Sequence, residues 1–161
     1  MTSTAAFDAL PRPDAVAALV AVCSSVTWAD RVAAGRPYGD LDSLLAAADA
    51  ALADLDDLTG PLAGHPRIGE RVHSGSSAKE QAGMAGASEQ VRAAMAEGNA
   101  EYERRFGHVY LVCASGRTAD ELLAVLQDRL GNTAEEEAAR TRSELAAINR
   151  LRLTGLIVQD R

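Results

Sequence analysis

Cysteine is scarce in this chain of 161 residues, with only Cys23 and Cys113 present. Two thiols cannot make a disulfide scaffold, and a reduced, cytoplasmic setting is the simpler reading. No apolar run approaches the roughly 20 residues that cross a bilayer, so no membrane partner is expected. The opening MTSTAAFDALPRP has neither a basic stretch nor a long apolar one, which argues against a signal peptide, and the closing IVQDR is not a peroxisomal tripeptide. Basic residues are outnumbered 16 to 23, and a net charge of -7 disfavours nucleic acid as a partner. It leaves room for a small anionic substrate, because one buried arginine can reverse the field locally. No His-x-x-x-His pair or cysteine pair sets up a ligand array, so no metal is expected. No repeat, low-complexity tract or linker divides the chain. At this length it reads as one domain, 1–161, with about residues 1–10 as a flexible N-terminus.

What is present is alanine- and leucine-rich, with a hydrophobic fraction of 47% that argues against wholesale disorder. Helical periodicity dominates. A helix is expected from about Asp14, just after Pro13, to about Trp28. Between Asp40 and Leu58, Leu41, Leu44, Leu45, Ala48, Leu52 and Leu55 recur on one helical face. Another helix is expected from Glu89 to Arg105, interrupted or weakened at Gly98. Three sequences can form a capping box, Ser77-Ala-Lys-Glu80, Thr118-Ala-Asp-Glu121 and Thr133-Ala-Glu-Glu136. After Thr118, Leu122, Val125, Leu126 and Leu130 line one face up to Gly131-Asn132, and the last helix runs from about Thr133 to about Leu153. The run HVYLVCAS, residues 108–115, is strand-like by propensity but has no second strand to pair with. It reads as a buried irregular segment whose N–H groups need partners, a ligand among them. The fold class is therefore all-α, a bundle of about six to nine helices with one buried irregular segment near 108–115.

One polar stretch, GHPRIGERVHSGSSAKEQAGM at residues 64–84, interrupts this helical material. His65 precedes Pro66, which biases it towards an extended backbone and can hold the imidazole at a set angle, as proton transfer near neutral pH requires. A solvent-exposed loop histidine is the plainer reading, and His73 looks more like that kind. His108 could sit beside a site or merely begin the buried run. Ser77 and Glu80 are explained by capping alone, yet a helix N-terminal turn also offers N–H donors and a positive dipole end to an anion. A Ser77, His65 and Glu80 hydrolase triad is conceivable, although the serine lacks a nucleophile-elbow sequence. Arg152 shares a face of the last helix with Leu145 and Ile148, so its stem points inward. Either a partner compensates its burial, or its guanidinium snorkels at the helix end.

Four motifs, HPRIGE, SAKEQAGM, YERRFGHVYLVCASGRTADELL and ELAAINRLRLTGLI, occur in that order, and CSSVTWADRVAAGRPYGDLDSLLAAAD precedes them. Together they resemble the OHCU decarboxylases of urate catabolism, where OHCU is 2-oxo-4-hydroxy-4-carboxy-5-ureidoimidazoline, and the resemblance covers nearly the whole chain. It implies an all-helical, cofactor-free lyase, usually a homodimer, that converts OHCU to (S)-allantoin and carbon dioxide. Carried onto matching positions, His65 is the catalytic histidine, Glu80 its acidic partner and Arg152 the group that binds the substrate's polar edge. Pro66, Ser77, Gln81 and the run Val109, Tyr110, Leu111 and Val112 complete the implied substrate contacts. The chain departs from the animal-type pattern after Phe106-Gly107, where His108-Val109-Tyr110 replaces a Phe-Pro-Phe-like run, and the loop from His65 to Ser77 is short. No transthyretin-like hydrolase domain is expected on this chain, so a separate protein would carry out the preceding step.

The implied substrate supplies its own electron sink, a ring C=N beside the departing carboxylate, which fits the missing cofactor motifs. Two other readings stay open. A non-enzymatic helical interaction module would show a large exposed apolar face. A paralogous decarboxylase, or a hydrolase using Ser77, would act on a related ureido compound.

Overall fold

Short polar side chains set most of the helix starts. In a computed structural model, which describes residues 2–70 and 75–157, the regular structure of the described residues is helical throughout. The chain forms two compact units, one of Met1–Gly64 with Ala146–Arg161 and the other of His65–Leu145.

In the first unit, α1 (Thr4–Asp8) is capped by the Ser3 hydroxyl, which accepts the Ala6 N–H at 3.1 Å. Its Phe7 is buried, so the first ten residues, expected to be flexible, include a packed helix. The helix expected from Asp14 to Trp28 is in fact two, α2 (Arg12–Val22) and α3 (Val26–Ala34). The break has a local cause: Cys23 and Ser25 are extended, and the Ser25 hydroxyl accepts the Trp28 N–H at 3.1 Å, starting a new helix. Asp40 caps α4 (Leu41–Ala53) by accepting the Ser43 N–H at 2.7 Å. The apolar face read as far as Leu58 leaves the helix at Ala53, although Leu55 is still buried. A short α5 (Thr59–Ala63) closes this part. Leu19, Trp28, Leu44, Leu52 and Leu153 are fully or almost fully buried, and the Trp28 indole N–H donates to the Ala48 carbonyl at 3.0 Å.

The second unit holds α6 (Gly75–Glu80), a 3-10 turn (Ala82–Met84), α7 (Glu89–Phe106), α8 (Ala119–Arg129) and the beginning of α9 (Ala134–Ile157). The last of these outruns the expected end at Leu153. The three capping-box sequences fare differently. Thr133 and Glu136 form the full reciprocal pair, at 2.8 and 3.1 Å. Thr118 caps α8 through the Glu121 N–H at 3.2 Å. Ser77 is no cap, because α6 starts at Gly75 and places it at the third helical position. The run Gly-Ser-Ser offers several possible starts, and propensity does not choose among them.

Gly98 does not interrupt α7, which runs unbroken through it. A Cβ there would lie 2.6 Å from Cδ2 of the buried Leu126, so glycine lets α7 and α8 approach closely. The contact at Gly83 is tighter and involves backbone, for a Cβ would come within 2.0 Å of the Arg117 carbonyl oxygen. Gly83→Ala should therefore destabilise the protein by about 1–3 kcal/mol, an overpacking cost, lowering Tm by several degrees. A thermal melt at or above the unsubstituted protein's would refute this.

Candidate active site

The segment His65–Glu70 has no regular structure of its own beyond a turn and is pinned by side chains. The Gln81 amide grips it twice, its oxygen accepting the Gly69 N–H at 3.0 Å and its nitrogen donating to the Arg67 carbonyl at 3.3 Å. From α7, the Asn99 amide donates to the Ile68 carbonyl at 2.9 Å, and Glu103 pairs with Arg67 at 2.9 Å. Ile68 is buried while His65 and Pro66 are half-buried, an exposure suited to proton exchange. Ser77 and Glu80, on α6, are also half-buried. A cavity of about 500 Å³ opens beside this arrangement, lined by Gly69, Glu70, Ala78, Gln81, Met84 and Arg92 among others. The Arg92 guanidinium is tied down at its rim, donating to the Met84 carbonyl at 2.5 Å.

The irregular segment lies where it was expected, with Tyr110, Leu111, Val112 and Ala114 buried and Val109 half-buried. Gly107, in the left-handed region at φ 79°, ends α7 and turns the chain into it. At the far end, the Cys113 N–H donates to Glu144 at 3.1 Å. Burial pushes the Cys113 thiol up, and the negative charges of Glu144 and Glu80 add to the rise. Glu80 on α6 thus acts electrostatically on this segment.

Beneath the segment sits a fully buried Arg129. Its Nη1 donates to the Leu111 carbonyl at 2.6 Å, and its Nε donates to Glu137 at 2.6 Å. The guanidinium stacks against the Tyr110 and Tyr102 rings at 5.0 and 5.8 Å from their centroids. Burial acts to raise the Glu137 carboxyl, but hydrogen bonds from Arg129, Tyr102 and Asn132 outweigh it and hold the group below the ordinary range. The Tyr102 hydroxyl, which donates to Glu137 at 2.6 Å, is pushed up to about 12 by burial first and by that bond second.

Arg152 belongs to the other unit. It lies on the α9 face that holds Leu145 and Ile148, both buried, and is itself half-buried. Its Nη1 donates to the Val22 carbonyl at the end of α2, 2.9 Å away. Burial pushes the Cys23 thiol up, while contact with Asn149 and the Arg152 charge lower it. Cys23 and Asn149 are both buried, and the Arg152 charge acts on the thiol from the same unit.

The second unit thus holds His65, Pro66, Ser77, Glu80, Gln81 and Val109–Val112. His73 lies outside the described residues. Among the described residues, no group of three or more His, Cys, Asp and Glu side chains could hold a metal ion, and no helix is long and apolar enough to cross a membrane. Three buried polar side chains escaped sequence reasoning: Arg129 and Glu137 in the second unit and Asn149 in the first. Arg129 was within reach, since it follows Leu122 and Leu126 at i+7 and i+3 on an apolar face, as Arg152 follows Leu145 and Ile148.

The family model for OHCU decarboxylase matches residues 8–154. Among curated proteins, the chain is 26% identical over 144 residues to the uric acid degradation bifunctional protein TTL of Arabidopsis thaliana, a match covering 83% of this chain and 43% of that one. It is 37% identical over 59 residues to the 2-oxo-4-hydroxy-4-carboxy-5-ureidoimidazoline decarboxylase of Amia calva, covering 37% of this chain and 34% of that protein. The chain thus spans less than half the length of these curated relatives. Among solved structures, it shares its fold with an OHCU decarboxylase crystallised in the presence of (S)-allantoin, at a TM-score of 0.76 and 24% identity over 87% of this chain and 96% of that one. It also shares it with an (S)-allantoin synthase, at a TM-score of 0.76 and 16% identity over 97% of this chain and 54% of that one.

Proposed function

The chain belongs to the OHCU decarboxylase family, and from that premise we propose that it decarboxylates OHCU to (S)-allantoin and carbon dioxide in urate degradation. The observation that carries this reading is the span of the family match, 8–154, which takes in His65, Glu80 and Arg152 together. As the carboxylate leaves, its bonding electrons flow into the adjacent ring C=N, so the substrate provides the sink that a cofactor would otherwise provide. The protein orients the carboxylate, moves protons and protonates one face of the intermediate. His65, oriented by Glu80, exchanges a proton with the hydroxyl-bearing centre. Arg152 stabilises oxyanion character as it develops.

Pro66, Ser77 and the Val109–Val112 run complete the substrate contacts. Gln81 has a share as well, for an amide offers two donor and two acceptor positions, and its bonds to Gly69 and Arg67 use one of each. The pinned His65–Glu70 loop supports this reading, because a proton-transfer group must be held in place before the substrate arrives. The scarcity of exposed apolar side chains also counts against an interaction module: among the described residues the large exposed hydrophobics are Val26 and Leu151. The working form in this proposal is a cofactor-free homodimer in the cytoplasm, and the unpaired Cys23 and Cys113 are compatible with a reducing compartment.

The test is circular dichroism of the purified chain with freshly generated OHCU. Spontaneous decay gives racemic allantoin, so a growing optical signal of the S enantiomer is expected only from stereoselective decarboxylation. Loss of OHCU at the uncatalysed rate with no optical signal would overturn the proposal.

A further inference from the structure

The fully buried Arg129 occupies a place that apolar side chains could fill. A buried ion pair is weak evidence for stability, since well-packed apolar residues of similar volume often serve as well. What apolar residues cannot do is donate a hydrogen bond. Arg129 directs Nε to Glu137 and Nη1 to the carbonyl of Leu111, 2.6 Å away. Glu137 in turn accepts from Tyr102 at 2.6 Å and from Asn132 at 3.0 Å, so the guanidinium is itself fixed in place.

The segment it grips has no ladder to set its path. A trans peptide unit is planar, with C=O and N–H pointing opposite ways, and the Leu111–Val112 bond is trans. Fixing the Leu111 oxygen on Arg129 therefore aims the Val112 N–H away from Arg129. Val112 is only 2% exposed, yet among the described residues no hydrogen bond reaches that N–H. A buried N–H without a partner is costly, which makes it a donor held ready for a ligand.

We propose that Arg129 is a positioning residue: by holding the Leu111 carbonyl it orients the Val112 N–H as a hydrogen-bond donor to the substrate. This rests on the decarboxylase reading above. The guanidinium touches no substrate, and its effect passes through one peptide plane.

Arg129→Lys tests it. Lysine keeps a positive charge for Glu137 but lacks the planar fork that reaches Glu137 and Leu111 at once. The expected result is an unchanged far-ultraviolet spectrum with KM for OHCU raised at least fivefold. KM does not depend on how much of the sample is folded, so a merely structural role would leave it alone. In parallel, the Val112 amide resonance of the unsubstituted protein should shift on titration with (S)-allantoin, and in Arg129→Lys it should not. If the lysine variant fails to fold, Arg129→Met combined with Glu137→Gln removes both charges while leaving an acceptor for Tyr102, and the same two results are expected.

A KM change below fivefold, or a Val112 shift that persists, overturns the proposal, as does failure of both variants to fold. If the unsubstituted protein turns over OHCU, those outcomes count against Arg129 alone. If it neither turns over OHCU nor responds to (S)-allantoin, the decarboxylase reading has failed as well.

Discussion

His65→Asn is expected to lose roughly 100- to 10,000-fold in kcat for OHCU while keeping the helical spectrum and the melting temperature. Asparagine can occupy the space and still make a hydrogen bond, but it cannot take up and release a proton near neutral pH. The fold should tolerate the change, because His65 is half-buried in a segment that Gln81, Asn99 and Glu103 hold by its neighbours Arg67, Ile68 and Gly69. The stereoselective optical signal is the measurement that decides. Turnover within a few-fold of the unsubstituted enzyme would remove His65 from the proton-transfer role, whatever the family resemblance implies.

Arg152→Ala should cost roughly 3 kcal/mol of transition-state stabilisation, about 100-fold in kcat/KM. It also removes the bond to the Val22 carbonyl, so a stability loss of about 1 kcal/mol should accompany it. Arg152→Lys separates the two effects. It keeps a charge near the end of α2 but lacks the planar fork, so stability should recover more fully than catalysis. Unchanged kinetics in Arg152→Ala would reduce this guanidinium to a cap on the α2 C-terminus, favoured by the helix dipole.

Much of this molecule was legible in its sequence, and the failures share a cause. Caps and apolar faces are local features, so Thr118 and Thr133 start helices as read, and the run from His108 to Ser115 was placed as a buried irregular segment because nothing could pair with it. At Ser77 the sequence misleads, because a capping box needs the helix to begin there, and the neighbouring Gly75 and Ser76 permit an earlier start. Ser25 is a start signal hidden inside what reads as one long apolar helix.

The polar interior was harder to read. Arg129 carried the same signal as Arg152, a charge on an apolar face, but no motif drew attention to it. Glu137 carried none: Glu135, Glu136 and Glu137 are consecutive, and which of them turns inward depends on how α8 and α9 pack to bring Arg129 beside it. Asn149 carries the same signal as Arg129, since it lies four residues after Leu145 and four before Leu153 on one apolar face of α9. The candidate site divides in the same way. The residue types of the His65-to-Gln81 stretch point to chemistry, whereas the bond from Arg129 to the Leu111 carbonyl is visible only in the fold.

The irregular segment has an evolutionary consequence. The role proposed for the Val112 amide would not depend on which side chain the residue bears, so with that role lineages could diverge at positions 109–112 without losing the contact, provided the replacements fill the same volume. Proline at 112 is the exception, because it carries no amide hydrogen. A binding surface of that kind can drift until its sequence is barely alignable while its chemistry persists, and His108-Val109-Tyr110 in place of a Phe-Pro-Phe-like run is a substitution of the sort such a surface permits.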